Sequence, residues 1–326
     1  MNVLLVGLGR WGEKHLRVLT GLGVDIWVAD LSAARRAWAI GQGVAPARAV
    51  ADYRRVLDAV DAVDIVTPAD SHLEIAATSL AAGRHCFIEK PLATSVEESR
   101  RLVVAADAAR TVVQVGHIFR FHPVTVAVRA ALGDGRLGAV RYATARFAGF
   151  KRPRTDVGVT HTDAIHFFDL FAELLGREAT SVLAVQRDFL GRGLDDMSVT
   201  TVQYGDIPVI VEASYFVPDT ERQSVIVAER GAIVADYGSS TARIHAGEHV
   251  RRGDTWEAVD TGKQELHITR EEPLRAELAA FLAACRTGGP SPVDARAGLH
   301  AVEIVEAAAR AARLDRAVSL TQLRAG

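Results

Sequence analysis

The sequence predicts an α/β protein with two domains, an N-terminal doubly wound parallel sheet and a C-terminal α+β domain with a large, mostly antiparallel open sheet. A buried apolar strand, Asn2–Val6, leads directly into the glycine-rich segment Gly7–Gly12 and then into a helix. Short apolar strands alternate with helices as far as residue 122, which is typical of a parallel sheet. Long alternating strands dominate beyond it. We therefore predict one domain over residues 1–122 and a second over residues 123–326.

The composition is that of an ordinary globular protein. Of 326 residues, 49% are hydrophobic and 24% charged, which is enough for two domains with cores of their own. The net charge of −2 favours neither nucleic acid nor anionic lipid as a partner. Two cysteines, Cys86 and Cys285, form no disulfide framework or metal cluster. With neither a signal peptide nor a membrane span recognisable, we expect a cytoplasmic protein that uses no metal.

The glycine-rich segment predicts a dinucleotide site. Its pattern is GxGxxG between a strand and a helix, the context of the Rossmann fold. Gly7 permits the tight turn, Gly9 lets the backbone approach a pyrophosphate, and Gly12 lets the helix pack closely on the strand. The helix N-terminus then offers free N–H groups to the phosphates. The alternative is a flexible turn without a ligand.

The end of the second strand predicts the choice of cofactor. The strand Val24–Ala29 ends at Asp30, whose carboxylate can accept hydrogen bonds from ribose hydroxyls and would repel a 2′-phosphate. This favours NAD over NADP. Arg35 and Arg36 follow, and we expect them on a solvated helix face.

A second strand end carries the sequence Glu89-Lys90-Pro91. Proline cannot donate to a sheet ladder, so Lys90 lies where the strand leaves the sheet, at the edge where ligands bind in open α/β folds. A lysine there can meet a hydroxyl or carbonyl of a ligand. The alternative is a surface ion pair between Glu89 and Lys90. His72, which follows another strand end, either faces the cofactor or is structural.

One helix of the second half, predicted over Asp163–Leu175, carries the candidate base His166. Asp163 and Asp169 each lie three residues from it and can share its helix face, and Thr162 lies four residues before it. A histidine flanked by carboxylates can move a proton near neutral pH. The alternative is a capped amphipathic helix with a structural histidine.

The predicted strands of the second half surround this helix, and two further helices, 274–286 and 295–313, follow. The strands are 140–150, 181–189, 197–204, 208–216, 224–228 and 232–237. Before the helix, Lys151-Arg152-Pro153-Arg154 places three cations in four residues, which suits phosphate or carboxylate recognition or simply a solvated loop.

These pieces in this order resemble the Gfo/Idh/MocA oxidoreductase family over nearly the whole chain. The resemblance is carried by the GxGxxG segment with Asp30, by Thr67-Pro68 with His72, by Glu89-Lys90-Pro91, by 116–123 and by His166 with Asp169. It implies NAD(P)-dependent oxidation of a ring hydroxyl, or the reverse. It also implies that Lys90 hydrogen-bonds the reacting oxygen, that His166 acts as general base, and that the open sheet forms a homodimer or homotetramer.

The resemblance has one departure. The family commonly has an acidic residue four positions before the histidine, and Thr162 stands there in this chain. A threonine cannot act as a base. Asp163 takes over the role, or Lys90 and His166 suffice, or the direction of the reaction differs.

Within the family, the run from Arg152 to His166 resembles members that oxidise the 3-hydroxyl of UDP-N-acetylglucosamine. An anionic sugar is therefore the expected substrate. The alternatives are an inositol or simple aldose dehydrogenase and a catalytically silent NAD-binding sensor.

The predicted site falls into three sets. We predict cofactor contacts from Gly7, Gly9, Arg10, Trp11, Gly12, Asp30, Thr67, Pro68, His72, Glu89 and Lys90. We predict substrate contacts from Lys90, His117, Arg120, Arg152, Arg154 and His166. The catalytic candidates are Lys90, His166, Asp163 and Thr162.

Overall fold

A computed structural model describes residues 1–325 of the chain, with side chains to residue 324. The strands are β1 (Asn2–Val6), β2 (Asp25–Ala29), β3 (Ala49–Val50), β4 (Ala62–Ile65), β5 (His85–Glu89), β6 (Val113–Gly116), β7 (Val140–Gly149), β8 (Ser181–Arg187), β9 (Met197–Tyr204), β10 (Ile207–Ser214), β11 (Thr220–Ala228), β12 (Gly231–Asp236), β13 (Thr241–Arg252), β14 (Thr255–Glu265) and β15 (Val318–Ser319).

The α-helices are α1 (Arg10–Gly21), α2 (Ala33–Gly41), α3 (His72–Ala81), α4 (Val96–Ala109), α5 (Pro123–Gly133), α6 (Ile165–Leu175), α7 (Pro273–Thr287), α8 (Ala295–Leu314) and α9 (Leu320–Ala325). One turn of π-helix precedes α6, at Thr160–Ala164. Short 3-10 turns lie at Pro46–Arg48, Tyr53–Ala59, Ala69–Ser71 and Ile118–Phe121.

The chain forms two compact units. The first comprises Met1–Ile118 together with Glu272–Val302, and the second comprises Phe119–Glu271 with the described residues from Glu303 onward. The division predicted from the sequence, at residue 122, assigned all of the later chain to one domain. The structure instead returns a late segment to the first unit.

The first unit contains a six-stranded sheet in the order β3-β2-β1-β4-β5-β6. Every neighbouring pair is parallel. This is the strand order of the Rossmann fold, with the carboxyl ends of β1 and β4 side by side where the order reverses. The predicted doubly wound sheet is confirmed. Most residues of its strands are apolar and buried, as is usual in a parallel sheet.

Helix α7 packs in the core of the first unit. Its buried residues Leu274, Leu278, Phe281 and Leu282 share one cluster with residues of α1 and the sheet. The ring of Phe281 lies 5.7 Å from that of Phe87, edge to face. The spacing of these residues forms one apolar stripe along α7. The stripe predicts that the helix is buried, but it does not predict which of the two sheets the helix covers.

The second unit contains a nine-stranded sheet in the order β14-β13-β12-β11-β7-β10-β9-β8-β15. Neighbours are antiparallel except β10 and β7, which are parallel. The predicted large, mostly antiparallel sheet is confirmed. Residues Ile165–Phe171 of α6 are all buried, and the Tyr204 hydroxyl donates to the Phe168 carbonyl at 2.7 Å.

The hairpin formed by β13 and β14 was absent from the predicted strands. Nearly every residue of β14 is exposed, so its sequence lacks the apolar alternation that predicts a strand. Among residues 1–325, no helix is both long enough and apolar enough to cross a membrane.

Candidate active site

A cavity of about 590 Å³ lies in the first unit at the carboxyl ends of the central strands. It is lined by Val6, Gly7, Gly9, Ala29, Asp30, Leu31, Ala51, Asp52, Tyr53, Arg54, Val66, Thr67, Pro68, Asp70, Ser71, Glu74 and Ile75. The volume is that of a cofactor or small-molecule pocket. It brings together five of the predicted cofactor residues, Gly7, Gly9, Asp30, Thr67 and Pro68.

The three glycines of the GxGxxG segment, two of which line this cavity, fit the passage of a dinucleotide. Gly7 has φ +95°, and a Cβ on it would lie 2.8 Å from the Val66 carbonyl oxygen. A Cβ on Gly12 would collide with the carbonyl of Gly7, so α1 can pack this closely against the turn after β1 only with glycine at position 12. A Cβ on Gly9 would meet nothing within 4 Å. The space beside Gly9 is the room that a pyrophosphate needs at the N-terminus of α1.

Replacing Gly9 with alanine will weaken NAD binding without unfolding the protein. Gly9 has φ −70° and ψ −170°, which alanine adopts without strain. The added methyl group occupies the space left for the pyrophosphate, so we expect a loss of about tenfold or more in NAD affinity, or about 1.4 kcal/mol. Isothermal titration and thermal unfolding measure the two effects.

Gly12→Ala is the matched contrast. Its methyl group collides with backbone, so it lowers the melting temperature. Equal NAD affinity in wild type and Gly9→Ala would contradict the assignment of the phosphate position.

Asp30 is held by backbone donors. Its Oδ2 accepts the N–H of Leu8 at 2.7 Å, and its Oδ1 accepts the N–H of Ser32 at 2.8 Å. Arg35 donates to the Leu8 carbonyl and to Glu13, and Arg36 donates to the Asp30 carbonyl. Both arginines therefore fasten the loops around Asp30. Both lie on α2 and are partly exposed, so the helix face expected for them is only partly solvated.

The other predicted cofactor residues lie outside this lining. Arg10 is exposed at the start of α1, and Trp11 is half-buried with its ring 6.2 Å from that of His15. His72 is buried, and its two ring nitrogens lie 3.0 Å from the carbonyl oxygens of Pro91 and Thr67. Burial lowers the pKa of His72, and the hydrogen bonds to the backbone oppose this. His72 thus joins the turn after β4 to the turn after β5.

Glu89 is buried rather than exposed, so the alternative of a surface ion pair with Lys90 is wrong. Only 5% of Glu89 is accessible to solvent. Its Oε1 lies 3.2 Å from Nε2 of His15, and its Oε2 accepts the backbone N–H of Lys90 at 3.0 Å. Nδ1 of His15 lies 2.9 Å from Oδ2 of Asp64.

The carboxylates around His15 favour its charged form. Burial lowers the pKa of His15, but the charges of Asp64 and Glu89 and their hydrogen bonds outweigh burial and raise it to about 10. His15 and Asp64 escaped the sequence reasoning. The available signal was a single carboxylate inside the apolar strand 62–66, since a buried charge requires a partner.

The charge on His15 predicts a pH-dependent difference in stability. A folded-state pKa of about 10, above the ordinary 6.5, contributes stability that is complete below pH 6.5 and is lost as the pH rises toward 10. The unfolding free energy of wild type relative to His15→Gln should therefore decrease by about 1.4 kcal/mol per pH unit between pH 7 and 9. Urea unfolding of both proteins at each pH measures it.

Groups that titrate in both proteins contribute equally to the two unfolding free energies, so their contributions cancel in the difference between wild type and His15→Gln. Cys86, whose pKa burial raises, is one of them. A difference that stays constant from pH 7 to 9 would show that His15 is neutral in the folded state.

In the second unit, the His166 ring packs against two aromatic rings that also contact each other. Its ring centroid lies 4.8 Å from that of Phe119 and 5.6 Å from that of Phe147, with both pairs stacked. Only 8% of His166 is exposed. These contacts and the burial restrict the rotation of the imidazole.

The turn that leads into this helix is wound as a π-helix, a form often found at functional sites. Oδ2 of Asp195 accepts the N–H and the hydroxyl of Thr160, at 2.9 and 2.6 Å. A Cβ on Gly158 would collide with Asp195, so this turn requires glycine there. Sequence reasoning missed Asp195, which lies 35 residues away along the chain.

The two further catalytic candidates have specific partners. Oδ2 of Asp163 lies 2.6 Å from Nζ of Lys151, which also lies 5.6 Å from the ring centre of Tyr215. The Thr162 hydroxyl is 2.8 Å from the Tyr215 hydroxyl. Burial raises the pKa of Tyr215 to about 12, so the phenol stays protonated at neutral pH. Lys151 and Tyr215 thus join the candidate site.

The predicted substrate cations differ in their surroundings. Arg120 makes a two-pronged ion pair with Asp169, at 2.8 and 2.5 Å. Arg154 pairs with Asp156 in the same way. Arg152 is exposed in the same loop. His117, in the first unit, is buried just after β6.

The first unit is a Rossmann fold with a glycine-lined cavity, and the second is an α/β unit that buries a histidine among aromatic rings. This combination indicates a two-domain dinucleotide-binding oxidoreductase. Residues 1–117 match a family model described as the oxidoreductase family, NAD-binding Rossmann fold. Residues 129–320 match its C-terminal alpha/beta domain. The chain belongs to the Gfo/Idh/MocA oxidoreductase family.

Two characterised relatives are similar over nearly the whole chain. UDP-N-acetylglucosamine 3-dehydrogenase of Acidithiobacillus ferrooxidans is 29% identical, covering 91% of this chain and 93% of its own. Inositol 2-dehydrogenase of Rhizobium meliloti is 28% identical, covering 97% and 98%. The crystal structure of the Acidithiobacillus enzyme superposes with a TM-score of 0.84 at 26% identity, covering 96% of this chain and 98% of its own. The predicted family, oxidoreductase class and NAD cofactor are confirmed.

Proposed function

We propose that the protein oxidises a ring CH–OH of a nucleotide sugar or other anionic sugar with NAD as acceptor. The observation that carries the proposal is the position of the cationic loop, residues 151–154. Lys151 contacts Asp163, three residues before His166, and the Lys151 N–H donates to the Tyr215 carbonyl at 3.4 Å. Guanidinium groups placed there suit a phosphate or carboxylate.

Two residues carry the chemistry in this proposal. Lys90, on the turn after β5, donates a hydrogen bond to the reacting oxygen and stabilises negative charge on it. His166, whose ring packs against Phe119 and Phe147, accepts the hydroxyl proton as general base. Bound NAD supplies the acceptor for the hydride that leaves the ring carbon.

Thr162 stands where members of the family commonly have an acidic residue. Its surroundings support a mechanism that uses only Lys90 and His166. Thr162 is engaged by Tyr215, and Asp163 is paired with Lys151. A carboxylate next to an ammonium group is a weak base. Among the explanations for the departure at Thr162, the site favours the one in which Lys90 and His166 suffice. Asp163 then anchors the cationic loop.

The test is an activity panel. Purified protein is incubated with NAD and UDP-N-acetylglucosamine, a hexose phosphate, glucose or myo-inositol, and the absorbance of reduced nicotinamide is followed. Turnover of the anionic sugars alone supports the proposal. Turnover of the neutral polyols alone replaces it with an inositol or aldose dehydrogenase. Silence in both directions, with NAD still bound, favours a sensor.

Replacing Arg152 and Arg154 together with alanine should raise KM for the anionic substrate by about tenfold or more, with kcat within about twofold, because the loss is one of charge-assisted binding. The matched control is Arg251→Ala with Arg252→Ala, two adjacent arginines on the exposed hairpin. Unchanged KM in the loop variant would remove the anion-binding role of the loop.

We also propose that the open sheet of the second unit associates with a second copy of the chain. One face of neighbouring strands exposes apolar side chains, with Val185 opposite Val199 and Leu183 and Ile210 flanking Thr201. Contiguous exposed apolar side chains mark interaction surfaces. Light scattering on protein eluting from a size-exclusion column measures the molar mass of the assembly. A monomer across the working concentration range would contradict the proposal.

A further inference from the structure

His15 lies beneath the turn that carries Lys90. Gly12 lets α1 approach the sheet closely, and His15 follows three residues later on the buried side of the helix. It is 0% exposed. Its two ring nitrogens contact carboxylates on two adjacent strands, Asp64 on β4 and Glu89 on β5. One side chain therefore ties the nucleotide-binding helix to both strands.

The contact continues to Lys90 through Glu89. One carboxylate oxygen of Glu89 faces His15, and the other accepts the backbone N–H of Lys90. A carboxylate held at both oxygens has one orientation. The backbone of Lys90 is thereby fixed where the chain leaves β5.

A purely structural role does not explain this choice of residues. Taking one imidazolium and two carboxylates out of water is costly, and apolar side chains of similar volume in such a site are often neutral or stabilising. What apolar side chains cannot supply is a directed bond to the N–H of Lys90.

We propose that His15 is a positioning residue for Lys90: it orients Glu89, and Glu89 fixes the backbone from which the lysine side chain projects. This inference rests on the proposed function, in which Lys90 contacts the reacting oxygen. His15 itself touches neither substrate nor cofactor in this proposal, and it acts entirely through Glu89.

Two substitutions separate the two halves of the contact. The amide nitrogen of glutamine, carried on Cδ, can take the place of Nε2 and still donate toward Glu89. The amide nitrogen of asparagine, carried on Cγ, takes the place of Nδ1 and donates only toward Asp64. His15→Gln and His15→Asn both remove the positive charge, so they differ chiefly in the contact with Glu89. His85→Gln, on the same strand as Glu89, is the control.

Two readouts are measured on each full-length variant. The first is steady-state turnover, separating kcat from KM for NAD. The second needs no substrate: acetylation of Lys90 by limiting acetic anhydride, quantified by mass spectrometry against Lys14, Lys151 and Lys263 in the same sample. Thermal unfolding records the stability of each variant.

We expect His15→Asn to lower kcat by about tenfold or more, with KM for NAD within about twofold, because small misplacements of a catalytic group cost rate. His15→Gln, at the same stability as His15→Asn, should keep most of the wild-type kcat. Acetylation of Lys90 should differ from wild type in His15→Asn alone. Should His15→Asn fail to fold, Glu89→Gln tests the same contact, with the same change in kcat and labelling expected.

Equal kcat and equal Lys90 labelling in the asparagine and glutamine variants would overturn the inference. A loss of kcat that simply parallels the decrease in melting temperature across the variants would overturn it too. If wild type turns over none of the alcohols, the proposed function fails. The labelling difference then still decides whether His15 positions Lys90.

Discussion

Lys90→Met will remove nearly all turnover while NAD still binds. Methionine keeps the length of the side chain and its apolar stem but cannot donate a hydrogen bond. Loss of one donor to a developing oxyanion costs about 10²–10³-fold in kcat. NAD affinity should stay within about threefold (less than 1 kcal/mol), because Lys90 does not line the nucleotide cavity.

The measurement pairs steady-state kinetics with NAD titration. Lys263→Met, on the exposed strand β14, is the matched control and should behave as wild type. A Lys90→Met protein with kcat near that of wild type would show that the residue is not the donor. Lost NAD binding would instead place Lys90 in the cofactor site.

His166→Phe should lower kcat by about 10²–10⁴-fold, the usual contribution of a general base. Phenylalanine preserves the stack with Phe119 and Phe147, so the surroundings of the ring are retained while both nitrogens are lost. The rise of kcat/KM with pH that a histidine base produces should disappear in the variant.

The pH profile distinguishes catalysis from structure. A variant that is merely loosened would lose rate at every pH and keep the profile of wild type. His245→Phe, on strand β13, controls for the change from histidine to phenylalanine. Preserved kcat in His166→Phe would remove the histidine from the chemistry.

The sequence predicted those parts of the fold in which burial leaves a periodic pattern. The apolar strands of the first unit and the strands from Val140 to Tyr237 were recognised because at least one face of each is covered. The hairpin of β13 and β14 was not, since its strands are held by backbone pairing with few buried side chains.

The candidate site was predictable where chain neighbours form it. The glycines and Asp30 meet in one cavity because a strand, a turn and a helix follow each other directly. Pairings across long stretches of chain leave no such local pattern. His15 with Glu89, Thr162 with Tyr215 and Lys151 with Asp163 each depend on the tertiary fold, so side-chain type alone could not reveal them.

The return of Glu272–Val302 to the first unit bears on how this protein is made. A ribosome that has released only the first 122 residues has not yet supplied Leu278 and Phe281, which complete the core around α1. Domains ordinarily fold in turn as they emerge. Here the first unit must wait, with part of its apolar surface uncovered, until residues 272–302 have been synthesised. A fragment cut at residue 122 should therefore aggregate, and a chimera that exchanges nucleotide-binding units must carry both segments.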